Sequence, residues 1–303
     1  MTGRVWLLLG ALSLLWGGSF FFIGVAVREL PPFTIVASRV VLAALVLLVV
    51  LRVMNLRLPR QHGLWLAFLG MGLLNNAIPF TLIVWGQSQI PSGLASILNA
   101  TTPISTALVA HAFTSDEKLT PARILGVLLG LAGVAVMLGA DLLGGLGQNL
   151  PAQAACLLAT VSYAFAGVFG RRFRRMGVPP LVTASGQLIA SSLLLLPLAL
   201  VIDRPWGFAL PGWPVIAALV ALAVFSTALA YVIFFRVMAV AGSNVNLVTL
   251  LVPVSAILLG VLVLGESLLP RHLLGFGVIA LGLLAIDGRL LRILKPAPPG
   301  SHP

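Results

Sequence analysis

The sequence predicts an all-α polytopic membrane protein, with ten transmembrane helices arranged as two inverted five-helix repeats. Three observations predict it. The 303 residues are 60% hydrophobic and only 8% charged, where a soluble domain carries about 25% charged residues. Ten apolar stretches are each long enough to cross about 30 Å of hydrocarbon. Residues 92–138 and 242–287 read as two versions of one segment.

The stretches fall at 5–27, 33–51, 63–86, 92–113, 121–138, 150–170, 180–202, 212–235, 243–264 and 271–287. Each is a continuous apolar run rather than a two-residue alternation, so the backbone hydrogen bonds close within helices and not around a barrel. The first begins MTGRVWLLLG and continues past Phe22 without a small-residue cleavage site. It reads as a membrane helix, not a leader. The second and seventh follow Pro-Pro turns at 31 and 179, where proline suits a helix start. The third is broken by Asn75, Asn76 and Pro79, and the fourth and ninth contain Pro103 and Pro253. In mid-span each proline removes one backbone hydrogen bond, which marks Pro79, Pro103 and Pro253 as hinge or gating points. For the last two, a carbonyl near position 99 or 249 would then be free for water or solute, or the kink has no ligand role. The fifth and tenth start at Pro121 and Pro270, just after Glu117 and Glu266, whose carboxylates can favour those helix N-termini. Their glycines, Gly126, Gly130 and Gly133 against Gly275, Gly277 and Gly282, permit close packing, either internally or between two copies. The one cysteine, Cys156, lies within the sixth stretch, so no internal disulfide can form.

A shift of 150 residues sets Pro103 on Pro253 and Ser105 on Ser255. After a one-residue slip, Glu117, Leu119, Pro121, Gly126 and Gly133 meet Glu266, Leu268, Pro270, Gly275 and Gly282. PPFTIVASRVVLAAL at 31 and PPLVTASGQLIASSL at 179 extend the match towards the start of each half. The first repeat therefore covers 1–145 and the second 146–290, leaving 291–303 as a Pro-rich, disordered cytoplasmic tail. Five spans per copy oblige the second to enter the membrane from the opposite side. Such copies are related by a pseudo-two-fold axis in the membrane plane, and one site between them can face either side.

The net charge of +11 would suggest nucleic acid in a soluble chain, but here its distribution sets topology. With a cytoplasmic N-terminus and ten alternating spans, fourteen Lys and Arg fall on the inner side, against Arg28, Arg204 and Arg271 outside and Arg39 within a span. That is the positive-inside pattern, with both termini cytoplasmic. The cluster RRFRR at 171–175 reads as a topology anchor or as a contact for anionic lipid headgroups.

LLWGGSFFFIGVAVRELPPFTIVASRVVLAAL in the first two spans and LGESLLPRHLLGFGVIALGLLAI in the last two resemble the ten-helix EamA branch of the drug/metabolite transporter superfamily. The resemblance covers essentially the whole chain. It implies an exporter or facilitator of small metabolites in a bacterial inner membrane, with amino acid exporters, including those for aromatic amino acids, among known members. It also implies a central cavity walled mainly by spans 1, 3, 4, 6, 8 and 9, with spans 5 and 10 set apart.

Two polar stripes are candidates for that wall. Ser96, Asn99 and Pro103 lie at i, i+3 and i+7, and Asn246, Thr249 and Pro253 take the aligned places, so each set shares one helix face. Such a face turns towards protein or water rather than lipid, as cavity lining or as interhelical glue. Asn76 and Phe80 in span 3, Ser226 and Tyr231 in span 8, Trp16, Ser19 and Phe20 in span 1 and Tyr163 in span 6 complete the substrate-binding set. For the aromatics plain packing is the competing role. Arg39, about seven residues into span 2, is the one cation well inside a span. It either partners a substrate carboxylate or pairs with Glu29 and backbone oxygens at the outer end.

No Asp or Glu falls near mid-span, which weakens a proton-coupled antiporter of cationic drugs. His62, His111, His272 and His302 lack metal-ligand spacing, and no nucleophile has a base beside it, so neither enzyme, metal site nor cofactor is expected. The partners expected are a small solute and membrane lipid but no nucleic acid, for a monomer or homodimer. The function expected is export of neutral or zwitterionic metabolites, amino acids first, by alternating access. The alternatives are efflux of hydrophobic drugs and carriage of nucleotide sugars or phosphate esters, which would want several cavity Lys or Arg.

Overall fold

A computed structural model describes residues 3–138, 149–241, 245 and 247–286. Among them ten helical spans follow in order: α1 Gly3–Ala26, α2 Pro32–Val53, α3 His62–Gln87, α4 Ser92–Phe113, α5 Pro121–Leu138, α6 Leu150–Arg175, α7 Pro180–Leu198, α8 Trp213–Ala241, α9 Val248–Leu264 and α10 Pro270–Ile286. Seven are long and apolar enough to cross a membrane, and α5, α9 and α10 are shorter apolar helices. Large apolar side chains such as Leu193, Leu262 and Leu281 point outward, as a surface in contact with lipid requires. The chain is thus a polytopic all-α membrane protein.

Several spans are interrupted, most by a wide turn. In α3 a wide, π-type turn occupies Leu73–Ala77, and the N–H of Ile78 reaches back five residues to the Leu73 carbonyl. The shift comes just before Pro79, which has no N–H to offer the carbonyl four residues earlier. A similar wide turn occupies Val224–Leu229 of α8, and a third, Ala199–Asp203, directly follows α7. In α4 the helix stops at Asn99 and restarts at Thr102, which places Pro103 in the first turn of the second piece. There its missing N–H costs nothing. The expected free carbonyl is therefore absent at this site: Asn99's oxygen accepts the Thr102 hydroxyl at 2.6 Å. Pro253, by contrast, is buried inside an unbroken α9.

The packing of the spans has a repeating logic. α1 lies along α9 and α4 along α6; α3 lies against α6 and α7, and α8 against α1 and α2. Each of these pairings has a partner about 150 residues away in the other half of the chain. α2 with α7 and α5 with α10 pair helices that are already counterparts. Between α5 and α10 the backbones nearly touch. A Cβ on Gly126 would sit 2.5 Å from the Gly282 carbonyl, and one on Gly133 would sit 2.7 Å from that of Gly275. These glycines serve packing inside the molecule.

The five carboxylates among the described residues all join one half of the chain to the other. Asp203 accepts the backbone N–H of Thr34 at 2.6 Å and its hydroxyl at 2.8 Å, Glu29 accepts from Gly212 N at 2.7 Å, and Glu266 accepts from Ser92 N at 2.9 Å and Gly93 N at 3.3 Å. These three lie at one end of the molecule, where each satisfies the open N–H groups at the start of a different helix. Glu266 therefore caps α4, not the α10 that follows it, as its sequence position had suggested. Gly265, with φ of 69°, turns the chain so that the carboxylate can reach, and a Cβ on Gly260 would collide with it. At the opposite end Asp116 and Glu117 both pair with Arg171, so Glu117 is likewise no cap for α5. The bond from Arg171 holds the Asp116 carboxyl below the ordinary carboxylate range, and the pair is released only as pH falls through that lowered value.

Candidate functional site

A cavity of about 770 Å³ runs between the halves. Its described wall is drawn from α1, α2, α3, α4, α6, α7, α8 and α9, with nothing from α5 or α10. It reaches the surface at the end that carries the Arg171–Arg175 cluster, where exposed Arg174, Gly177, Pro179 and Pro180 form its rim. The other end is shut. There Gln87 donates to the Phe20 carbonyl at 2.8 Å and to the Ser92 hydroxyl at 3.0 Å, directly beside the Glu266 cap.

Most residues chosen from the sequence meet on this wall. Trp16, Ser19, Phe20, Phe80, Ser96, Asn99, Tyr163, Ser226, Tyr231 and Thr249 all line it, and so does Arg39. Trp16 packs against Phe234 with ring centroids 5.4 Å apart, and Tyr231 stacks on Phe235 at 6.2 Å. Ser96 uses its hydroxyl on the Gly93 carbonyl, whereas Asn99 Oδ1 and Ser226 Oγ are buried without a hydrogen-bond partner among the described residues. Pro79, Pro103 and Pro253 shape the helices behind the wall and do not line it. Asn246 lies outside the described residues.

Asn76 belongs behind the wall, and its neighbour Asn75 lines it. The wide turn in α3 rotates the face by one position. Asn76 is fully buried; its amide donates to Ser191 at 3.0 Å and its oxygen accepts from the Tyr231 hydroxyl at 3.2 Å. That hydroxyl also accepts from Asn75 at 3.2 Å and Gln187 at 3.3 Å. Tyr231 is thus a fixed panel whose polar atom is fully engaged, so that its ring is what it has left to present to the cavity. Removing the hydroxyl in Tyr231→Phe leaves three amide groups short of a partner, which is expected to lower stability by about 1–3 kcal/mol. Thermal unfolding in detergent, with wild type alongside, measures this.

Arg39 does not pair with Glu29, which is held by Gly212 at the closed end. Its Nε donates to Thr227 Oγ1 at 2.9 Å and its guanidinium lies 3.7 Å over the Phe80 ring. The basic cluster is partly engaged in the same manner: Arg171 holds two carboxylates and Arg172 lies 3.6 Å over Phe169.

The sequence reading missed Gln187 as a wall residue, along with Phe234, Phe235, Thr102 and Thr183. Gln187 carried a signal, since a polar residue within an apolar span and aligned with Arg39 was bound to face inward. The phenylalanines carried none.

The fold matches a solved crystal structure with a TM-score of 0.68 at 23% identity, covering 97% of this chain and all of the other. Among relatives by sequence, an uncharacterized inner membrane transporter of Escherichia coli K12, YedA, is 30% identical over 97% of this chain and 93% of its own. An uncharacterized transporter of Bacillus subtilis, YoaV, is 24% identical over 90% and 93%. The EamA-like transporter family model matches twice, at residues 1–139 and 150–286. With one copy of that match on each side of the cavity, the chain is a membrane transporter and belongs to the EamA-like transporter family.

Proposed function

We propose that this transporter exports small neutral or zwitterionic metabolites, amino acids including aromatic ones foremost, across a bacterial inner membrane. The observation that carries this reading is the composition of the cavity wall. It combines aromatic rings and neutral Asn, Gln, Ser and Thr side chains, and no carboxylate lies among its described residues. Such a wall suits a solute with balanced charge and some apolar surface, and its described residues offer a cationic drug no counter-ion. A phosphate-ester carrier would want several deep cations; here Arg39 is deep and Arg174 lies at the rim.

Alternating access between inverted halves, 1–145 and 146–290, is the mechanism we infer. The double family match, the pairings repeated about 150 residues apart and the five carboxylates that bridge the halves support it. The positive-inside bias supports a cytoplasmic arginine end with both termini on that side, and on this reading the cavity opens inward. The solute and membrane lipid are the partners, for a monomer or homodimer without cofactor or nucleic acid.

Counterflow of labelled amino acids in proteoliposomes tests the reading. Exchange of at least one amino acid is expected, and Asn99→Ala is expected to slow it about tenfold, equivalent to about 1.4 kcal/mol of lost contact, with folded protein retained. Absence of flux across a broad amino acid panel, combined with drug resistance in cells that express the protein, would transfer the function to drug efflux.

A further inference from the structure

Arg39 is a buried cation without a counter-ion among the described residues. It is 6% exposed, no carboxylate stands on the described cavity wall, and the five described carboxylates are all engaged at the two ends of the molecule. A buried charge is tolerated when something compensates it. The groups around Arg39 do this in part and at the same time fix its direction. Its Nε donates to Thr227, whose own hydroxyl proton is held by the Leu222 carbonyl at 2.8 Å. Phe80 supports the flat face of the guanidinium. The two terminal nitrogens make no hydrogen bond among the described residues, and the side chain lines the cavity. One residue before Thr227, the Ser226 hydroxyl is buried on the same wall without a partner.

We propose that the terminal nitrogens of Arg39, with the Ser226 hydroxyl on the same cavity wall, receive the carboxylate of the transported solute. The carrier then selects acids and zwitterions and rejects amines and amides of the same size. This rests on the solute-carrier reading above and adds the chemical group the site recognises. The planar fork of a guanidinium matches a carboxylate with two parallel hydrogen bonds. A desolvated cation on a wall whose described residues include no acid repels a second cation and attracts an anion. Arg174 at the rim gives the path the same sign from its mouth inward.

Four probes of one skeleton separate the groups: L-phenylalanine, 3-phenylpropionate, L-phenylalaninamide and phenethylamine. Each is added to the purified full-length protein in nanodiscs and the melting temperature is recorded, since a ligand that binds the folded state raises it. The two carboxylates are expected to raise it and the amide and amine to leave it unchanged. In Arg39→Gln the carboxylate response is expected to vanish, with apparent affinity reduced about thirtyfold or more. Arg39→Lys, which keeps the charge but not the fork, is expected to retain part of it. Equal stabilisation by the amide and the acid, a wild-type response in Arg39→Gln, or no response to either carboxylate would overturn the assignment. If 3-phenylpropionate acts through Arg39 while no amino acid exchanges in proteoliposomes, the carboxylate site stands and the amino acid reading fails. If phenylalanine and its amide are both bound and exchanged, the amino-compound carrier stands and the carboxylate site fails.

Discussion

Gly282→Leu is expected to separate α5 from α10 and to yield little monodisperse protein. A Cβ at this position would meet the Gly126 carbonyl at 2.6 Å and Gly130 N at 2.9 Å. Backbone atoms cannot swing aside as a long side chain can, so the two helices must move apart along their whole contact. Overpacking of a fitted core costs about 1–3 kcal/mol and at times more, and here the van der Waals packing that holds membrane helices together is lost as well. The control lies five residues earlier on the same helix. A Cβ on Gly277 would have nothing within 4 Å of it, so Gly277→Leu is expected to melt like wild type. Identical melting temperatures for the two variants would show that the close approach of α5 and α10 contributes nothing.

Glu266→Ala is expected to open the closed end of the cavity. The carboxylate accepts two backbone N–H groups at the start of α4, and under the alternating access proposed above this contact belongs to the shut arrangement. Its loss, about 1–3 kcal/mol for a charged acceptor, therefore weighs against the closed arrangement alone. A shift of about tenfold or more towards the open arrangement follows, since about 1.4 kcal/mol corresponds to a factor of ten. Ile23 lines the cavity towards this end. In a Cys156→Ser background, an Ile23→Cys reporter should react faster with a membrane-impermeant maleimide applied from the face opposite the arginine cluster. An unchanged rate would remove Glu266 from the seal.

The sequence showed where the apolar helices lie, because apolar length is a local property, and the spacing of prolines and glycines carried its proposal of a correspondence between halves. It was weaker on orientation. Helices that are apolar on every side give no direction from hydrophobicity, so Phe234 and Phe235 could not be assigned to the wall. Asn75 and Asn76 were distinguishable only once the wide turn at Leu73–Ala77 was known. Pro103 was rightly seen as a break, but its effect depended on register: at the second position of a new helix it frees no carbonyl. Glu266 had the right role and the wrong helix. Its partner is 174 residues away, and a capping distance in space leaves no trace in chain spacing. Of the two roles open to Arg39, the pairing with Glu29 fails for a similar reason. Glu29 was its obvious neighbour in sequence, while the group that holds Glu29 belongs to the other half of the chain.

The two ends of the molecule are fastened by different chemistry. At the arginine end a cation holds two exposed carboxylates, an attraction that dissolved ions screen over about 10 Å at moderate ionic strength. At the closed end the carboxylates rest on backbone N–H groups, and the Asp203 and Glu266 contacts are partly buried. Directional contacts of that kind depend on alignment at short range and are little affected by ions in the bulk. Salt concentration is therefore a handle on one end of this transporter that leaves the other in place.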